Sequence, residues 1–126
     1  AAFFARLHHE LYTEVVAVKN RYARPRPYNR NEGLSTCLGQ VRDASYPSGH
    51  AVNSRFFADA LTELAPARGD EFRALADQAA LNRVIGGVHH PSDIEAGKLL
   101  GDRLFAEYMK SPAFRADLEG LRKYLK

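Results

Sequence analysis

Apolar residues recur at steps of three and four along most of this chain, which is the period of an amphipathic helix. Phe3, Phe4, Leu7, Leu11, Val15, Val18 and Tyr22 predict a first helix over residues 2–22. Arg24-Pro25-Arg26-Pro27 ends it, because each proline lacks an N–H and pushes its predecessor out of the helical region. From there to Tyr46 the chain is polar, rich in Asn, Gly, Ser and Arg, and reads as a loop of about 20 residues, a length that hints at function. A second helix is predicted from about Ser48 to Leu64, with Ala51, Val52, Phe56, Ala60, Leu61 and Leu64 facing inward, and Pro66 and Gly69 after it. Asp70 is a candidate N-cap for a third helix carrying Phe72, Leu75, Ala76, Ala79, Val84 and Ile85 up to Gly86-Gly87. Ser92 and Glu95 have the S-x-x-E spacing of a capping box, which starts a fourth helix at Asp93 and carries it to about Tyr108. Its Gly97 and Gly101, one turn apart, leave room for another backbone to approach. Ser111-Pro112 opens a fifth helix, along which Phe114, Leu118, Leu121 and Leu125 keep helical spacing. The expected fold class is all-α, a compact bundle of about five helices with its active site at helix ends and connecting loops.

Composition narrows this reading. The 126 residues suffice for one core, and 45% apolar content is that of an ordinary globular chain, so residues 1–126 read as a single helical domain. A single cysteine, Cys37, rules out an intramolecular disulfide. No run approaches the 18 apolar residues of a membrane span. The formal charge of +3 suits an acidic partner but falls short of a strong nucleic-acid signature. The chain opens on Ala1 and its only methionine is Met109, which fits a removed signal peptide or a boundary chosen in a longer protein.

Three segments concentrate anion-binding or proton-transferring groups at breaks between helices. Lys19 precedes Arg26-Pro27 by six intervening residues; an ammonium and a guanidinium fork are both phosphate ligands, although five basic residues between Lys19 and Arg30 also describe a solvated basic loop. Pro47-Ser48-Gly49-His50 lies at a helix start, where free N–H groups meet anions and Gly49 offers no side chain in the way; the bland alternative is a capping serine and a surface histidine. The helix dipole there tends to lower the pKa of His50. Asn82-Arg83 is followed by His89 and then Asp93, and a carboxylate near an imidazole fixes one tautomer and frees the other nitrogen as nucleophile or base; the alternative is a decorated helix start. Gly86-Gly87 and Pro91 bend this segment so that Arg83 and His89 can face one point. The pair His8-His9 points to different faces and lacks partners at ligand spacing, so no metal site is expected. Cys37 reads as inert and His90 as an exposed bystander.

Together these residues form the pattern K-x6-RP, PSGH and SR-x5-H-x3-D, with Asn82 standing where the pattern has serine. The sequence resembles the type 2 phosphatidic acid phosphatase superfamily, which includes bacterial class A nonspecific acid phosphatases and vanadium-dependent haloperoxidases. The motifs span residues 19–93. The resemblance implies a phosphatase that hydrolyses phosphate monoesters without a metal, through a covalent phosphohistidine at His89. Asp93 would orient that ring, and His50 would act as general acid and then base. Lys19, Arg26, Ser48, the Gly49 N–H and Arg83 would hold the phosphate oxygens. The six-residue spacing selects Arg26 over Arg24, and Asn82 keeps a donor and an acceptor for a supporting role. A small phosphorylated substrate is the expected partner, with no nucleic acid, no cofactor and the oligomeric state left open. Vanadate would be an inhibitor, or the cofactor under the alternative of a haloperoxidase. The other alternative is a noncatalytic phosphate or nucleic-acid binding module. Family likeness places the protein in the periplasm or outside the cell. The chain is also shorter than members that would be complete, which leaves room for a missing upstream segment.

Overall fold

The structure, a computed structural model, describes residues 2–125. It holds helices α1 (Ala2–Tyr22), α2 (Pro27–Arg30), α3 (Gly49–Leu64), α4 (Gly69–Ile85), α5 (Pro91–Tyr108) and α6 (Pro112–Glu119). Short 3-10 turns occupy Pro66–Arg68 and Arg122–Tyr124, and there is no strand among the described residues. The five longer helices are those expected from the periodicity. The four-residue α2 lies inside the segment expected to be loop; Pro27 at its first position supplies a ready-made helical φ there.

Helix α3 is the hub, packing against α1, α4, α5 and α6. Its Ala51, Val52, Phe56, Ala60 and Leu64 are buried as the pattern predicts. Phe56 sits edge-on to Phe57, Phe105, Tyr108 and Phe114, with ring centroids 5.4–6.2 Å apart, a geometry that favours aromatic pairs. Leu7 and Leu11 of α1 close the same cluster. On the other side, α5 lies close against α3 because Gly97 and Gly101 have no side chains. A Cβ on Gly97 would stand 2.7 Å from both the Ala51 Cβ and the Ser48 carbonyl oxygen, and one on Gly101 2.8 Å from the Val52 carbonyl oxygen.

Several boundaries differ from expectation. Helix α4 begins at Gly69, continuing the 3-10 turn, so Asp70 lies in its first turn rather than at the cap. Helix α5 begins at Pro91 with His90 as N-cap, and Ser92 does not cap it. Ser111 does cap α6, accepting from the Phe114 N–H at 3.3 Å, but that helix ends at Glu119, with Gly120 as its C-cap, instead of running on to Leu125. The buried stripe of α1 is Leu7, Leu11, Val15 and Lys19, while Tyr22 is exposed. Leu75 and Ile85 of α4 are exposed as well. A lysine thus occupies the inner end of an apolar stripe, which directs attention to what it meets there.

Candidate active site

The turn after α4 brings Arg83 and His89 together. Gly87 has φ +76°, a left-handed conformation open to glycine at little cost, and reverses the chain there. The Val88 and His89 N–H groups then both donate back to the Arg83 carbonyl, at 3.1 and 3.2 Å. The bend expected from Gly86-Gly87 is therefore a closed turn with Arg83 at one lip and His89 at the other.

Behind His89 stands Asp93, fully buried. Its Oδ2 lies 3.2 Å from the His89 Nδ1, 2.8 Å from the His90 N–H and 3.2 Å from the His90 Nδ1, and it accepts a hydrogen bond from Ser45 Oγ. Its Oδ1 accepts from Arg24 Nη1 at 2.9 Å. Burial by itself would raise this carboxyl, but hydrogen bonds from His89, Ser45 and His90 outweigh it and hold Asp93 well below the usual carboxylate range.

On the pocket side, His89 Nε2 lies 2.9 Å from Arg26 Nη1. A guanidinium can only donate, so Nε2 is the acceptor and the ring proton sits on Nδ1, facing Asp93. Burial lowers the His89 pKa and, with the Arg26 charge, prevails over the hydrogen bond to Asp93, which keeps the ring neutral. Arg26 is held in turn by the Val88 carbonyl at 2.8 Å and by Asp43, through both its backbone carbonyl and its carboxylate. Lys19 reaches the same Asp43 carboxylate at 3.1 Å and the Ala44 carbonyl.

Lys19, Arg26, Gly49, His50, Arg83 and His89 line one cavity of about 490 Å³, with Asp43, Val15 and Asn53 between them and His8, Tyr12, Val41 and Arg42 around the rest of its wall. The Arg83 Nε is buried and has no hydrogen-bond partner among the described residues; the same holds for Asn53 Oδ1 on the same wall. A buried orphan donor beside two further cations fits an anion. Partial burial, with the neighbouring charges of Arg83 and Arg26, lowers the His50 pKa, the direction expected from its place in the first turn of α3. Ser48 is fully buried as the α3 N-cap, its hydroxyl accepting from the Ala51 N–H at 3.3 Å, and it is not part of the cavity lining.

Three expectations change. His90 is no bystander: it is the α5 N-cap and donates to Asp93 through its backbone. Asn82 supports nothing in the cavity, since it is exposed on α4 and its Oδ1 accepts from Gln78 at 2.8 Å. Arg24, set aside in favour of Arg26, serves on the far side of Asp93. Asp43 and Ser45 went unread in the sequence because both lie in the unpatterned loop. Ser45 directly precedes Tyr46 and the PSGH block, and that adjacency was the available signal.

The PAP2 superfamily model matches residues 3–116, and the chain belongs to that superfamily. Among curated proteins it is similar to the non-specific acid phosphatase of Salmonella typhi, 34% identical over 119 residues, covering 90% of this chain and 47% of the relative. The non-specific acid phosphatase of Providencia stuartii is 30% identical, covering 82% of this chain and 43% of that protein. The chain thus spans about half the length of the curated relatives it matches. Among solved structures, the transmembrane PAP2-type phosphatidylglycerolphosphate phosphatase of Bacillus subtilis superposes with TM-score 0.62 at 20% identity, covering 99% of this chain and 60% of that one, which shows the shared fold. No helix among the described residues is long and apolar enough to cross a membrane.

Proposed function

We propose that this protein hydrolyses phosphate monoesters through a phosphohistidine at His89. The observation that carries the reading is the pairing of His89 Nε2 with Arg26 Nη1, opposite a Nδ1 committed to Asp93: an unprotonated nitrogen, held only by an arginine that phosphate can engage, lines the same cavity as Lys19, Arg26 and Arg83.

On binding, the substrate phosphate takes over the Arg26 N–H, which frees the Nε2 lone pair. Nε2 attacks phosphorus, the ester P–O bond breaks, and positive charge appearing on the ring is stabilised by Asp93. His50 gives its proton to the departing alkoxide. Water then attacks the phosphohistidine, His50 takes its proton, the P–N bond breaks, and phosphate leaves with the His89 lone pair restored. Lys19, Arg26 and Arg83 hold the equatorial oxygens with the Gly49 N–H, so charge neutralisation is met by side chains and no step calls on a metal. His50 must be charged at the start, and a bound phosphate dianion offsets the nearby cations that lower its pKa. Vanadate, which mimics the pentacoordinate arrangement, is expected to inhibit at the same groups. Periplasmic or secreted placement belongs to this reading and rests on the likeness to the acid phosphatases.

The test is hydrolysis of a generic aryl phosphate from pH 4 to 8. The expected result is a bell-shaped profile for the wild type and a loss of roughly a thousandfold or more in kcat for His89→Ala. Intact turnover by His89→Ala overturns the covalent mechanism.

A further inference from the structure

The two cations that the reading above assigns to phosphate already hold a carboxylate. Asp43 meets Arg26 Nη2 through Oδ1 at 2.5 Å and Lys19 Nζ through Oδ2 at 3.1 Å, and its own backbone carbonyl accepts from Arg26 Nε at 3.2 Å. A guanidinium has five N–H bonds. Arg26 spends one on the Asp43 carbonyl, one on the Val88 carbonyl, one on His89 Nε2 and one on the Asp43 carboxylate. One Nη2–H remains, too little for the paired grip that an arginine fork gives two phosphate oxygens.

The three groups also differ in how firmly they are seated. The Lys19 and Arg26 side chains are 6% and 4% exposed, whereas that of Asp43 is 47% exposed and lies on the cavity wall. The cations are fixed in the protein, and the carboxylate covers them from the solvent side. Burial would raise the Asp43 carboxyl, but the Arg26 hydrogen bond and the Lys19 charge keep it below the ordinary range, so it is an anion at working pH. A phosphate oxygen reaching the same donors must displace it or sit beside it, like charge against like.

We infer that Asp43 is an intramolecular competitor for the phosphate seat, a carboxylate that orders Lys19 and Arg26 in the free protein and weakens their hold on substrate and product phosphate. The inference rests on the phosphatase reading of this cavity and deepens it. A carboxylate so placed sets affinity for the phosphoryl group itself, independent of the alcohol attached to it, and it favours release of inorganic phosphate after the second step. A purely structural Asp43 would have the opposite signature, because without it the cations lose their alignment and phosphate binds less well.

The deciding experiment is calorimetric titration of the full chain with inorganic phosphate, wild type against Asp43→Asn, paired with inhibition by phosphate of aryl phosphate hydrolysis. The amide keeps the shape and removes the charge. The expected result is a phosphate Kd lower by roughly tenfold in Asp43→Asn, with a matching fall in the inhibition constant. If the asparagine variant fails to give the wild-type circular dichroism spectrum, Asp43→Ser carries the same expectation. A wild type that binds phosphate and turns over the ester, beside variants that bind phosphate no more tightly or more weakly, overturns the role of Asp43 alone. A wild type that neither binds phosphate nor hydrolyses the ester overturns the phosphatase reading and this inference with it.

Discussion

Arg24 Nη1 lies 2.9 Å from Asp93 Oδ1 and donates also to Ser92 Oγ at 2.6 Å, while the other oxygen of the same carboxylate faces His89. Asp93 is fully buried and the Arg24 side chain is 29% exposed. Arg24 is therefore a positioning residue, acting on the His89 ring through a carboxylate that cannot find water as a substitute. Arg24→Ala is expected to lower kcat for an aryl phosphate by roughly ten- to a hundredfold with KM little changed, and to cost about 2 kcal/mol of stability. Arg24→Lys, which restores a charge without the fork, should recover part of the kcat loss. A rise in KM with kcat intact would instead assign Arg24 to the phosphate.

Stability should fall on acidification. His89 and His50 both have pKa values lowered in the folded protein, by burial first and then by neighbouring cations. The unfolded chain therefore binds more protons than the folded one as pH drops below about 6.5, and folding weakens in that range. Asp93 acts lower down: its depressed carboxyl contributes stability that is complete above about pH 4 and is lost only as pH falls further toward its folded value. Thermal denaturation from pH 7.5 to 5 is expected to show a falling midpoint, flatter in His89→Asn, with inorganic phosphate restoring part of the loss. A midpoint that holds steady or rises on acidification contradicts the environments assigned to the two histidines.

Gly97 is a point at which α5 packs tightly against α3. Gly97→Ala would press its methyl to 2.7 Å from a backbone oxygen and from Ala51, and overpacking of this kind costs about 1–3 kcal/mol. Since α5 carries Asp93 and α3 carries His50, the variant should lose activity along with stability. Chemical denaturation and turnover at one temperature check both. An unchanged denaturation midpoint would mean that the two helices separate freely.

The helices were legible because each buries a stripe against α3, and local spacing is all that such a stripe requires. The cavity-lining cations and histidines were legible because they cluster near helix ends in the order of the three motifs. What escaped the sequence were partners chosen by distance in space. Arg24 finds Asp93 across 69 positions, Arg26 finds Asp43 across 17, and Ser45 finds Asp93 across 48. No periodicity marks Asp43 or Ser45, since a loop needs no repeating face. The start of α5 was misplaced for a related reason: Ser92 and Glu95 match a capping box, but Glu95 pairs with Lys98 on the surface, and His90 with Asp93 performs the cap. The same carboxylate thereby ends a loop, begins a helix and orients a ring.

The turn at Gly87 separates a locally built part of the cavity from a part built by long-range contacts. Arg83 and His89 are joined by hydrogen bonds within seven residues of chain, so this lip depends on local contacts alone. Lys19 and Arg26 instead meet Asp43 on a loop that Ser45 ties to Asp93. Opening that loop would uncover the cavity wall formed by Lys19, Arg26 and Asp43 while leaving the Arg83–His89 turn intact. Enclosure of the cavity therefore rests on contacts between segments far apart in the chain rather than on any one helix.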